Sequence, residues 1–131
     1  MFFSKITSSL SVERINKILE NEEAVVISSS IIELEFQIKL ADYLSKSSFE
    51  LKTNIANKFK YEFLLWLTGK RDIKSAMAVS LPKGSDELFI VIFEDKSAKK
   101  ILSTISAKPE KSILKKHFDS IRLDNISTSR V

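Results

Sequence analysis

Seven of the nine residues from Phe59 to Leu67 are apolar, and this run constrains the fold more than any other stretch. Wound as a helix, it puts Phe59, Phe63 and Trp66 on one face and Tyr61, Leu64 and Leu65 on the other. A helix that is apolar nearly all round belongs in the middle of a fold, covered on both sides. The same stretch offers a strand, because Phe59, Tyr61 and Phe63 alternate with Lys58, Lys60 and Glu62. The unbroken run Phe63–Leu67, with Gly69 just beyond it, favours the helix, since glycine is the usual residue past a helix end.

The flanking sequence supplies elements to pack against it. Val12, Ile15, Ile18 and Leu19 recur at helical spacing behind Ser11, a good N-cap. Ala24–Ser28 (AVVIS) is short and β-branched, and Leu88–Phe93 (LFIVIF) is the strongest strand in the chain, with the continuous apolar pattern of a central strand. Ser30 precedes Glu33 by three, the spacing of a capping box, so a helix is expected over Ile31–Leu44 with Ser45–Ser48 breaking it. Asp72 can cap a further helix carrying Ile73, Ala76 and Met77, and Leu81–Ser85 reads as a turn. Ser97 opens a helix with Ile101, Leu102 and Ile105 inward. Pro109 ends or restarts the chain, a helix is expected over Glu110–Asp119, and a short strand near Ser120–Leu123. The fold class expected is α/β: a single domain over residues 1–131, a small mixed β-sheet flanked by several α-helices.

Composition narrows the function. The chain has 131 residues, 44% hydrophobic and 29% charged, with two Gly, two Pro and no Cys, as in a soluble globular protein with no disulfide or thiolate metal site. No apolar stretch approaches membrane-spanning length and the first residues lack a signal-peptide core, so a cytoplasmic protein without membrane association is expected. Charge is uneven: residues 1–51 carry 5 Lys/Arg against 8 Asp/Glu, residues 52–74 carry 6 against 2, and the remainder 10 against 7. A basic middle and end suit an anionic partner such as nucleic acid, although a solvated Lys-rich surface gives the same count.

Catalytic signatures are sparse. There is one histidine, His117, beside Lys115 and Lys116, and Gly69 and Gly84 are isolated rather than part of a phosphate loop, so no enzyme, no cofactor and no metal is expected. Asp86-Glu87 and Glu94-Asp95 flank the strong strand, but adjacent strand residues point to opposite faces. Binding chemistry is better represented. Asn54, Asn57, Lys58 and Lys60 stand at the entry of the apolar helix, and Lys70, Arg71 and Lys74 just beyond its end. Helix starts offer N–H groups to phosphate, and Lys and Arg add charge-assisted contacts. The Asn pair suits local loop capping equally well, and Trp66, among apolar neighbours, suits core packing better than base stacking.

Asn54-Ile55-Ala56, then Glu62-Phe63-Leu64-Leu65-Trp66-Leu67, then Gly69, Arg71, Ile73 and Ala76, resemble the signature of the kinase-binding subunit of the KEOPS (EKC) complex, in its archaeal type. That family has an N-I-A segment, an E-F-L-L-aromatic-L helix and a G-x-R-x-I-x-x-A continuation; the similarity covers about residues 51–93. It implies a non-catalytic subunit of the complex that makes threonylcarbamoyladenosine in tRNA. Such a subunit binds the small atypical kinase of the complex, which in turn binds the threonylcarbamoyl transferase. Archaeal-type members also bind tRNA at its 3′ CCA end.

On that resemblance, Asn54, Asn57, Lys58, Lys60, Arg71 and Lys74 are expected to face tRNA, mainly its phosphates, and Ile73 and Met77 to face the kinase. Asp72 departs from the family pattern, standing where many relatives carry Gln, which removes an amide donor beside Arg71. The final Ser129-Arg130-Val131 stands where relatives commonly continue through an apolar segment. A protein–protein adaptor that regulates the kinase without binding RNA is the alternative, and the modest net charge of +4 favours it.

Overall fold

The computed structural model describes residues 1–83 and 86–110. Of the helix expected over Glu110–Asp119 only Glu110 is described, and it ends a strand instead; the rest of that helix, the strand near Ser120–Leu123 and His117 lie outside the described residues. The described residues divide into two compact units, one built on residues 1–30, 81–83 and 86–110, the other on residues 31–80. Among the described residues they have the α/β composition expected, with five α-helices and one four-stranded sheet.

The first unit holds the sheet. Its strands are β1 (Phe2–Ser8), β2 (Ala24–Ser28), β3 (Leu88–Ile92) and β4 (Ala107–Glu110), in the order β2-β3-β1-β4. All three pairings are antiparallel, so the mixed sheet expected from the sequence is antiparallel throughout its described strands. β3 is central, paired to β2 with Val26 opposite Ile90 and to β1 with Ser4 opposite Ile90. Phe89, Ile90, Val91 and Ile92 are all buried, as the continuous apolar run predicts for a strand covered on both faces.

Two helices of the same unit complete its core. In α1 (Val12–Leu19) the Ser11 hydroxyl accepts the Arg14 N–H, the cap expected from the sequence. Ile15 and Leu19 of α1, with Ile101 of α5 (Ala98–Thr104) and Ile105 just after it, close over Ile6, Ala24, Val26, Ile90 and Ile92. β1 and β4 were not expected. In β1 the alternation is blurred by a buried Ser4, and β4 carries Pro109, which an edge strand tolerates because no ladder N–H is lost on its open side.

The second unit is helical: α2 (Glu35–Glu50), α3 (Phe59–Thr68) and α4 (Ile73–Ser80), with α2 packed on α3 and α3 on α4. α2 differs from expectation at both ends. Ser29–Ile31 forms a 3₁₀ turn, and the helix starts four residues later than the Ser30/Glu33 box suggests. There the Gln37 side-chain oxygen accepts the N–H groups of Glu33 and Leu34 at 2.7 and 2.8 Å, supplying the reach-back half of a cap from the third helical position. Ser45–Ser48 does not break the helix. The Ser45 hydroxyl donates to the Ala41 carbonyl at 2.7 Å, so the buried polar side chain is satisfied inside its own helix. The helix ends at a Schellman motif, with Thr53 N–H donating to Ser48 O at 2.8 Å, Lys52 N–H to Phe49 O at 3.2 Å, and Lys52 left-handed at φ 58°.

Candidate nucleic-acid interface

α3 forms as the composition dictates, and it ends at Gly69 in the left-handed conformation (φ 74°), whose N–H donates to Leu65 O at 2.9 Å. Phe63 and Leu65 are fully buried and Leu64 and Leu67 nearly so, while Trp66 is half-buried. The two charged residues that interrupt the apolar run are also inside: Lys60 is 4% exposed and Glu62 is 0% exposed.

Glu62 explains the loop before it. One carboxylate oxygen accepts the backbone N–H groups of Ile55 and Ala56, each at 3.0 Å, and the other accepts the Ser48 hydroxyl at 2.6 Å. A buried carboxylate has to recover its lost hydration from such donors, and here the donors come from α2 and from the 54–58 loop. The Ser48 hydroxyl also lies 3.0 Å from the Ser45 carbonyl. It has one proton, and the shorter contact to the charged oxygen takes it. Around this point the Asn54 amide donates to the Ala56 carbonyl at 2.8 Å, and the Ala56 side chain is buried. The Phe49 and Phe59 rings meet at 5.9 Å across the loop's two ends.

The candidate residues therefore separate. Asn54 is half-buried and its amide is spent within the loop. Asn57 and Lys58 are exposed, Lys58 in the extended N-cap position of α3, where its carbonyl accepts the Tyr61 and Glu62 N–H groups. Lys60 differs from Lys58: it is 4% exposed, with its ammonium 5.4 Å from the Tyr61 ring centroid, a placement that suits packing of its stem in α3 better than an exposed contact. At the other end of α3, Arg71 and Lys74 are exposed.

Asp72, also exposed, caps α4 as expected by accepting the Ser75 N–H at 2.8 Å. That bond, helped by the Ser75 hydroxyl, its own backbone N–H and the Lys70 charge, holds the Asp72 carboxyl below its ordinary value of 3.8. Of the pair expected to face a kinase, Ile73 is 37% exposed and Met77 half-buried, while Ala76 between them is fully buried. Asn57 and Lys58 are thus separated from Arg71 by the length of α3, about 15 Å for ten residues. An extended single strand spans that distance and a lone phosphate does not.

The carboxylates flanking β3 have local partners. Glu87 pairs with Lys5, Asp95 lies 2.7 Å from the N-terminal amine, and Asp86 accepts the Lys83 N–H at 2.9 Å. Among the described residues no three His, Asp or Glu side chains stand together to hold a metal ion, and no helix is long and apolar enough to cross a membrane. The residue that sequence reasoning missed is Glu62. Its signal was a carboxylate inside a run otherwise buried all round, a place where a charge must find partners. No family model and no curated protein matches the chain.

Proposed function

We propose that this chain is a non-catalytic, cytoplasmic subunit of a KEOPS-like complex for threonylcarbamoyladenosine modification of tRNA, binding the small kinase of that complex and, through it, the transferase. tRNA is the second partner, held at its 3′ CCA end. One observation carries the reading: a loop locked from inside by Glu62 leaves Asn57 and Lys58 exposed before α3, with Arg71 and Lys74 exposed after it. Two basic sites about 15 Å apart suit an unpaired RNA end crossing between them, with phosphate contacts supplying affinity. The test is a gel-shift series at fixed salt with tRNA and with tRNA lacking CCA. Weaker retention on CCA removal supports the reading, and equal retention refutes end recognition.

A second reading, the RNA-independent adaptor, is favoured by apolar exposure on α4, where Ile73 is 37% and Val79 46% exposed. Apolar side chains left in solvent on a short helix suit a protein partner. Binding assays with kinase and tRNA separately distinguish the two, because the adaptor retains kinase and no RNA.

A further inference from the structure

Glu62 is fully buried, belongs to no surface, and still carries a charge-bearing group whose two oxygens reach two different pieces of chain. We propose that the Glu62 carboxylate is the positioning group of the candidate RNA surface: it holds the 54–58 loop in the one shape that leaves Asn57 and Lys58 exposed together at the start of α3. This rests on the RNA-binding reading above.

The loop itself supplies little else. Ile55 is 48% exposed, so its side chain anchors weakly, and Ala56 has only a methyl group to bury. What fixes the backbone is the pair of N–H groups sharing one carboxylate oxygen at 3.0 Å, backed by the Asn54 amide on the Ala56 carbonyl. Two adjacent N–H groups converging on one acceptor define the direction of the chain at Ile55 and Ala56, and Asn57 and Lys58 follow directly. Charge-assisted bonds of this kind are stronger than neutral ones, and their loss leaves buried donors unmet. Glu62 touches no ligand, so its effect on RNA passes through Asn57 and Lys58.

Near-isosteric replacement separates charge from shape. In Glu62→Gln the side-chain oxygen still accepts both N–H groups, while its NH₂ donates to the Ser48 hydroxyl, which then turns its proton to the Ser45 carbonyl 3.0 Å away. Glu62→Ala removes every one of these bonds.

The experiment is amide hydrogen exchange at Ile55 and Ala56 by NMR, alongside gel shifts with unmodified tRNA at one salt concentration. In the wild-type chain both amides are expected to be protected about a hundredfold or more, although they lie in a loop. Glu62→Gln is expected to keep much of that protection, and Glu62→Ala to lose roughly tenfold or more of it, with tRNA affinity falling in the same order. Lys58→Ala is expected to lower tRNA affinity with loop protection unchanged. If Glu62→Ala does not fold, the wild-type and Glu62→Gln measurements decide the matter alone. Freely exchanging Ile55 and Ala56 amides in the wild type overturn the proposal even if tRNA binds. A loop loosened in Glu62→Gln with unaltered tRNA affinity also overturns it. Protected amides in a chain that retains no tRNA refute the RNA reading instead, and leave Glu62 as the group that holds the loop.

Discussion

The Ser48 hydroxyl and the Glu62 carboxylate meet at 2.6 Å, fourteen residues apart in sequence and both buried, and so join α2 to α3 beneath the loop that connects them. The contact makes the connection a built element rather than a tether. The helices it joins are tied by Ser48 to Glu62, its middle is held at Ile55 and Ala56, and one carboxylate serves both.

Ser48→Ala deletes the donor and leaves a buried, charged oxygen short of a partner. The expected cost is about 1–3 kcal/mol of unfolding free energy, read from urea denaturation. Ser45→Ala is the control, because its hydroxyl donates only to the Ala41 carbonyl of the same helix. It should cost clearly less. Equal losses at the two positions would show that the Glu62 contact contributes nothing special.

Two left-handed residues end helices of the second unit, and they predict opposite effects. Gly69 (φ 74°) ends α3 at no steric cost, so Gly69→Ala should destabilise by about 1 kcal/mol or more. Lys52 (φ 58°) occupies the same conformation after α2 with a side chain attached, so Lys52→Gly should stabilise by up to about 1 kcal/mol. Thermal melts of the two variants check the pair, and a shift of the same sign in both contradicts it.

Asp72 gives a pH dependence of known sign. Its folded-state value lies below 3.8, chiefly because the ionised form accepts the Ser75 N–H at the start of α4. A depressed carboxyl contributes stability above its unfolded value, and that contribution disappears as pH falls through the folded value. Asp72→Asn keeps a capping oxygen without the charge. Wild type and Asp72→Asn should therefore differ at neutral pH and converge below the ordinary carboxylate range. An NMR titration placing the Asp72 midpoint at or above 3.8 contradicts the assignment.

How far the sequence could be read follows from the same residues. β2, β3, α1, α3 and the Gly69 terminus carried their own periodicity or punctuation, and local signals sufficed. β1 and β4 lacked such signals: one hides a serine on its buried side, and the other is four residues with a proline. The boundaries of α2 differ from the local signals because Ser30 and Glu33 imitate a cap, and because Ser45 and Ser48 have the composition of a break while their hydroxyls bond inward. In the candidate site, exposure divided residues that sequence had grouped. Lys58 and Lys60 are two apart and equally basic, but the first precedes the helix and the second turns into it.

That division makes the sharpest prediction. Lys58→Glu with Arg71→Glu changes charge at both exposed ends of α3 and should weaken tRNA retention more than tenfold, while the melting temperature stays near that of the wild type. The single alanine variants should each flatten the slope of log affinity against log salt by about 0.7, the value for one phosphate contact on a single strand. Lys60 behaves in the opposite way. Buried at 4% exposure, it is expected to tolerate Lys60→Met, which keeps the aliphatic stem, with tRNA affinity unchanged, whereas Lys60→Glu should destabilise the unit by burying a new carboxylate. Gel shifts across a salt series, paired with melts of each variant, separate the two lysines. A Lys60→Met chain that folds normally and loses tRNA returns Lys60 to the interface and refutes its assignment to packing.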